Sequence, residues 1–132
     1  MQYSTTLRNN QLDQVESTVG VTPKLQFRSG AAPANCAAAD SGTLLAEMTL
    51  PSDWMAAASS GSKVKAGTWT VAASAAGVIG HFRIKDSAGT TCHVQGTVTL
   101  TGGGGDMTVD NTNAAVGQSI TVNTFTINAG NA

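Results

Sequence analysis

Two histidines, two cysteines and a few aspartates are the side chains in this sequence that could do chemistry. His81 and His93 would lie diagonally on one outer face if the segments carrying them pair as a hairpin, close enough to share a ligand. A metal would want a third and fourth ligand, and no Cys, Asp or Glu stands nearby at a recognisable spacing. The expectation is two exposed polar side chains and no metal. Cys92 falls on the apolar face of the same hairpin, where a thiol acts as a small hydrophobe. Cys36 lies beside Asn35 and Asp40, with no basic group near it in sequence to lower its pKa. Two cysteines make no disulfide scaffold. Whether they bond to each other stays open, and both begin as thiols if the chain is made in a reducing cytoplasm.

The remaining candidates are weaker. Gly102-Gly103-Gly104-Gly105 is no phosphate loop, because no Lys-Ser/Thr pair follows it and no helix begins there. Asp86, Asp106 and Asp110 sit in turns, where they are expected to satisfy turn amides rather than hold calcium. There is no Gly-x-Ser-x-Gly elbow and no carboxylate pair in a stretch that promises a cleft. Trp54 and Trp69 could stack on sugars, but with two Trp, one Tyr and three Phe in all, most aromatics are needed inside. The reading is therefore no enzyme, no catalytic residue and no cofactor.

Composition narrows the class of partner. Charged residues make up 11% of the 132-residue chain, less than half the usual roughly 25%. Seven basic residues nearly balance eight acidic ones. The basic ones are scattered and none follows Lys85, so no stripe could track a nucleic-acid backbone. No segment is long and apolar enough to span a bilayer, and the first residues lack the pattern of a secretory signal. Neither nucleic acid nor membrane is expected as a partner. The surface must be made mainly of Thr, Ser, Asn, Gln and backbone, and a net charge near zero favours association.

The elements that would position these residues can be read from periodicity. Ser4, Thr5 and Thr6 offer N-cap hydroxyls and Gly20 a C-terminal stop, with Leu7, Gln11, Val15 and the Thr18/Val19 pair on one helical stripe and Leu12 beside it. Arg8, Asp13 and Glu16 lie off that stripe. The period then becomes alternating. Leu25 and Phe27 share a face, as do Leu44, Ala46, Met48 and Leu50. Ser52 or Asp53 is expected to cap a single helical turn through Trp54. Strand character returns at Thr68–Ala73, and the clearest unit is a hairpin of Val78–Asp86 and Thr90–Leu100 about Ser87-Ala88-Gly89. That pairing sets Ile84 opposite Cys92 and Phe82 opposite Val94.

Met107 and Val109 mark a short strand and Ser119–Asn128 the last. Ile120 and Val122 have one parity and Phe125 and Ile127 the other, so a bulge near Asn123–Thr124, or a strand that bends from one sheet to the other, is expected. The fold class expected is mainly β: an antiparallel β-sandwich, jelly-roll-like, over residues 24–132, with an N-terminal α-helical arm over 1–20 outside it, in one domain.

The run Ala39-Asp40-Ser41-Gly42-Thr43-Leu44-Leu45-Ala46-Glu47-Met48-Thr49-Leu50-Pro51-Ser52-Asp53-Trp54 resembles a segment of small virion proteins of tailed bacteriophages and prophages. Gly80-His81-Phe82-Arg83-Ile84 through Ser87-Ala88-Gly89 and Cys92 is similar to the same proteins, and so is the helix carrying Leu7, Arg8, Asn9, Leu12, Asp13 and Glu16. The resemblance extends over nearly the whole chain and lies in phrases rather than in a catalytic signature. It implies synthesis in a bacterial cytoplasm, assembly without covalent chemistry and a place in the virion.

Within that class the neutral surface favours a capsid decoration or cement protein on the head surface, because uncharged contacts cost less desolvation. Its expected partners are the major capsid protein and further copies of itself, as dimer or trimer. Leu7, Arg8, Gln11, Leu12, Val15 and Val19 are the candidate partner-contact residues. The helix could instead cover an open end of its own sandwich. Removal of residues 1–20 is expected to leave a folded sandwich that no longer associates. The competing reading is a tail or baseplate component, or a host-surface-binding module, using the loops Gly30–Ala39 and Gly102–Asp106.

Overall fold

A computed structural model describes residues 1–131. Helix α1 (Thr5–Val19) begins where Ser4 Oγ accepts from the Leu7 amide, and it ends at Gly20, whose φ of 88° turns the chain out while its N–H still reaches Glu16. Nine strands follow among the described residues: β1 (Lys24–Ser29), β2 (Leu44–Thr49), β3 (Ser62–Val64), β4 (Thr70–Ala72), β5 (Gly77–Lys85), β6 (Cys92–Leu100), β7 (Met107–Val109), β8 (Asn113–Ala114) and β9 (Ser119–Asn128). They join in the order β2-β1-β5-β6-β7-β9-β3, with β4 on β9 and β8 on β5. The protein is mainly β with one helix.

The sheet is mixed rather than antiparallel throughout, because β6 and β7 run parallel from Val98↔Met107 to Leu100↔Val109. Parallel neighbours usually need a long crossover. Here the overlap is so short that the chain has only about 10 Å to retrace. The corner through Gly102 and Gly104, both at positive φ, makes that return. Asp106 completes it by accepting from the Thr97 amide and hydroxyl, each at 2.8 Å.

The sheet is also curled. Phe82 of β5 and Phe125 of β9 meet edge to face with ring centroids 5.5 Å apart, although β6 and β7 lie between their strands. In a flat sheet three strand spacings would separate them by about 14 Å. The concave side holds the core, where Trp54, Trp69 and Phe125 pack in series with Leu25, Phe27, Ile84, Met107, Ile120 and Val122. Trp54 and Trp69 are both fully buried, which removes them as a sugar-stacking platform.

Several local expectations shift by a residue or two. The hairpin pairs Ile84 with Val94 and Phe82 with Gly96, and a bulge leaves His93 unpaired before Lys85 meets Cys92. Cys92 therefore sits on the polar face, not in the core. The polar turn is longer than the Ser87–Gly89 reading because Asp86 draws in Thr90 and Thr91, its carboxylate accepting from both amides. In β2 a bulge at Leu45 places Leu44 opposite Arg28, while Ala46 and Met48 stay opposite Phe27 and Leu25. No helical turn forms after Ser52. The chain bends at Ser52–Asp53, bridges Met55 to Lys65, and turns at Ser60–Gly61 into the short strand β3. In β9 the bulge falls at Asn123, between Val109↔Val122 and Thr108↔Thr124, so Ile120, Val122 and Phe125 all reach the core.

Candidate functional site

His81 and His93 are expected from the sequence to lie exposed on the polar face of the β5–β6 hairpin. Instead Gln26 and Arg28 of β1 and His81, Arg83 and Lys85 of β5 are buried, His81 and Arg83 almost completely. The cover is the irregular segment Gly30–Gly42. Alternation alone brings these side chains to one face, since β1 and β5 pair Gln26 with Arg83 and Arg28 with His81. Arg28, His81, Arg83 and Lys85 then donate to the covering loop. His81 Nδ1–H reaches the Gly30 carbonyl at 2.8 Å, and Gln95 Nε2 reaches the Pro33 carbonyl at 2.6 Å. The loop backbone also passes so close to β5 that a Cβ at Gly80 would collide with the Gly30 carbonyl.

Asp40 is the charge centre of this cluster. Its carboxylate accepts from Arg83 Nη1 at 2.6 Å, Lys85 Nζ at 2.7 Å and Arg28 Nη2 at 2.9 Å. Burial alone would raise its pKa, but the hydrogen bond from Lys85 and the charges of Arg28, Lys85 and Arg83 outweigh it and hold the carboxyl below the ordinary aspartate value. The network continues from Arg28 Nε to Gln26 Oε1 at 3.0 Å, and from Gln26 Nε2 to Glu47 at 2.6 Å. Arg83 also donates from Nη2 to the Cys36 carbonyl at 2.7 Å and from both Nη atoms to the Ala38 carbonyl at 3.1 Å. His81 Nε2, Arg83 Nε and Gln95 Oε1 find no partner among the described residues, so the cluster is not fully satisfied.

Helix α1 is held by a second polar cluster. Lys63 of β3, 3% exposed, places its Nζ 2.7 Å from Asp13 and 2.9 Å from Glu16. Burial would lower the lysine's pKa, but those two carboxylates prevail and raise it. Glu16, Asp13 and Asn9 also accept from the amides of Met55, Ala58 and Gly61. Three backbone donors of the 55–61 segment are thus satisfied by helix side chains, while the Ala56 and Ser59 amides donate to the Val64 and Ser62 carbonyls. Trp54 Nε1 donates to the Gly20 carbonyl at 3.1 Å.

The candidate partner-contact residues divide. Leu12 and Val19 are buried within the chain's own fold, and Val15 packs against the core. Arg8 Nε donates to the Ala129 carbonyl at 2.8 Å. Leu7 and Gln11 remain exposed. Asp13 and Glu16, which lie off the apolar stripe, hold the helix in place. The signal that could have found them is Lys63 on the short strand, a cation in a chain so poor in charge.

His81 and His93 do not converge. His81 is held under the loop, while His93, the bulge residue, shares a shallow groove with Val94, Val15 and Val19. No group of three or more His, Cys, Asp or Glu that could hold a metal occurs among the described residues. No helix is long and apolar enough to cross a membrane. Chemically, the polar cluster can fasten a loop and neutralise charge, but it presents no nucleophile paired with a base. The chain matches no family model, no curated protein and no solved structure.

Proposed function

We propose that this chain is a non-enzymatic structural protein of a tailed-phage virion. In this reading it is a capsid decoration or cement protein that binds the head surface through the major capsid protein and associates with itself as a dimer or trimer. One observation carries the proposal beyond the resemblance of its sequence phrases. Four of the seven basic residues, Arg28, Lys63, Arg83 and Lys85, are buried in internal ion pairs. The surface left outside is poorer in charge than even the composition implies, and it carries the exposed apolar side chains Leu7, Val21, Val64, Val78, Leu100 and Val116. Such a surface loses little hydration energy when neighbours cover it.

A sandwich-like layering belongs to the same proposal. The Phe82–Phe125 contact supports it, since it joins the β1/β5 side of the curled sheet to the β7/β9 side. The test is mass spectrometry of separated heads and tails from virions that carry the chain, with copy number per particle. Hundreds of copies on heads are expected. A few copies on tails would replace this reading with the tail or baseplate one, and absence from both would end it.

A further inference from the structure

We propose that Cys36 and Cys92 form a cross-linking site. On meeting a small disulfide oxidant, such as oxidised glutathione, they close into an intramolecular disulfide that fastens the Gly30–Gly42 loop to the start of β6. Both are free thiols here, with their Sγ atoms 2.7 Å apart across 56 positions of sequence. A bonded pair requires about 2.05 Å, so closure asks for only a small movement.

Both backbones are already held. Cys92 is the first residue of β6, paired with Lys85, and the Cys36 carbonyl accepts from Arg83 Nη2 at 2.7 Å. Neither thiol is fully buried, and both face a cavity of about 300 Å³ whose wall includes Lys85, Arg83 and Thr90. Asp40 shares that wall and pairs with both cations, so a single positive charge remains in excess toward an anionic oxidant such as glutathione disulfide. The chain has no other cysteine, so an intramolecular product can only be this one.

The exchange balances in two steps. One cysteine thiolate attacks a sulfur of oxidised glutathione, forming a mixed disulfide and releasing one glutathione thiolate. The second cysteine thiolate then attacks the protein sulfur of that mixed disulfide, forming the Cys36–Cys92 bond and releasing the other. The two protein protons end on the two released glutathiones. Burial first, and then the neighbouring Cys92 thiol, push the Cys36 thiol up to about 11. Closure is therefore slow at neutral pH and accelerates as pH rises. In a particle released from a reducing cytoplasm the bond would lock the loop after assembly. That setting rests on the virion reading, and the chemistry does not.

The experiment incubates the reduced, full-length protein with oxidised glutathione and follows intact mass under non-reducing conditions. The expected product is a monomer lighter by two hydrogens, whose digest yields a Cys36–Cys92 peptide pair. Its Tm should exceed that of the reduced protein by roughly 5–15 °C. Cys36→Ser and Cys92→Ser should each stop at a single glutathione adduct. A wild-type protein that keeps a stable adduct, forms covalent dimers, or retains two alkylatable thiols under the same treatment would overturn the proposal. This readout involves no virion, so it stands or falls separately from the proposed function.

Discussion

Arg83 and Asp40 meet at 2.6 Å, Nη1 to Oδ1, with the arginine on a central strand and the aspartate in an irregular loop far along the chain. The arginine side chain is nearly inaccessible, and the aspartate remains partly open to water. The other terminal nitrogen, Nη2, donates to the Cys36 and Ala38 carbonyls, so one side chain ties both the charge and the backbone of the loop to the sheet. A lysine could not do this, since it is a point charge without a planar fork.

Breaking that pair from either side should cost far more than an ordinary surface change. Arg83→Ala leaves two loop carbonyls and Asp40 with fewer donors, and Asp40→Asn leaves three cations sharing a neutral amide. Each is expected to lower unfolding stability by about 2–4 kcal/mol in urea titrations. Arg83→Lys should recover less than half of the Arg83→Ala loss. A loss under about 0.5 kcal/mol for both would mean that the loop is held by other contacts.

Acid should loosen the same loop. Because the folded-state pKa of Asp40 lies below the ordinary 3.8, its contribution is fully present above that value. It is lost as pH falls through the lower folded value. Urea midpoints measured from pH 5 downward should therefore fall, and Asp40→Asn should flatten part of that fall. Asp13 and Asp86, whose pKa values are also lowered, keep some pH dependence in the variant. An unchanged slope would remove Asp40 from the acid response.

The N-terminal helix should prove inseparable from the rest. Deleting residues 1–20 removes Leu12 and Val19 from buried positions, strips Lys63 of both carboxylates and orphans the amides of Met55, Ala58 and Gly61. The truncated chain is expected to lose cooperative unfolding or solubility, which reverses the outcome expected for a detachable arm. Glu16→Gln is the milder test and should cost about 1–3 kcal/mol, with faster amide exchange along α1. A truncated chain with native-like thermal unfolding would restore the arm reading.

The aromatic series should report on the whole fold. Trp54 and Trp69 are fully buried, so their emission should be blue-shifted and resist quenching by iodide until the protein unfolds. Phe125 touches both Trp69 and Phe82, and Phe125→Ala should cost about 3–5 kcal/mol by opening a cavity between the two sides of the curl. Ready quenching in the native state would contradict the burial.

What the sequence determined by itself is the set of elements whose period and punctuation agree. The capped helix ending at Gly20, the alternating β1, the Val78–Leu100 hairpin and the phase break at Asn123 are local signals. Propensity, turn chemistry and two-residue alternation are enough to read them. The tertiary structure decided what covers each face. Alternation marks His81, Arg83 and Lys85 as polar, but it cannot tell water from a loop whose carbonyls and one carboxylate replace water. The same limit hid Lys63 between Asp13 and Glu16, the parallel pairing of β6 with β7, and the meeting of Cys36 with Cys92. The ion pair and the cysteine pair join segments far apart in the chain. The cysteine meeting also turns on a one-residue bulge that moves Cys92 to the other face, and the parallel pairing depends on where β9 receives β7. Such contacts are set by the closing of the whole sheet, and no local pattern encodes them.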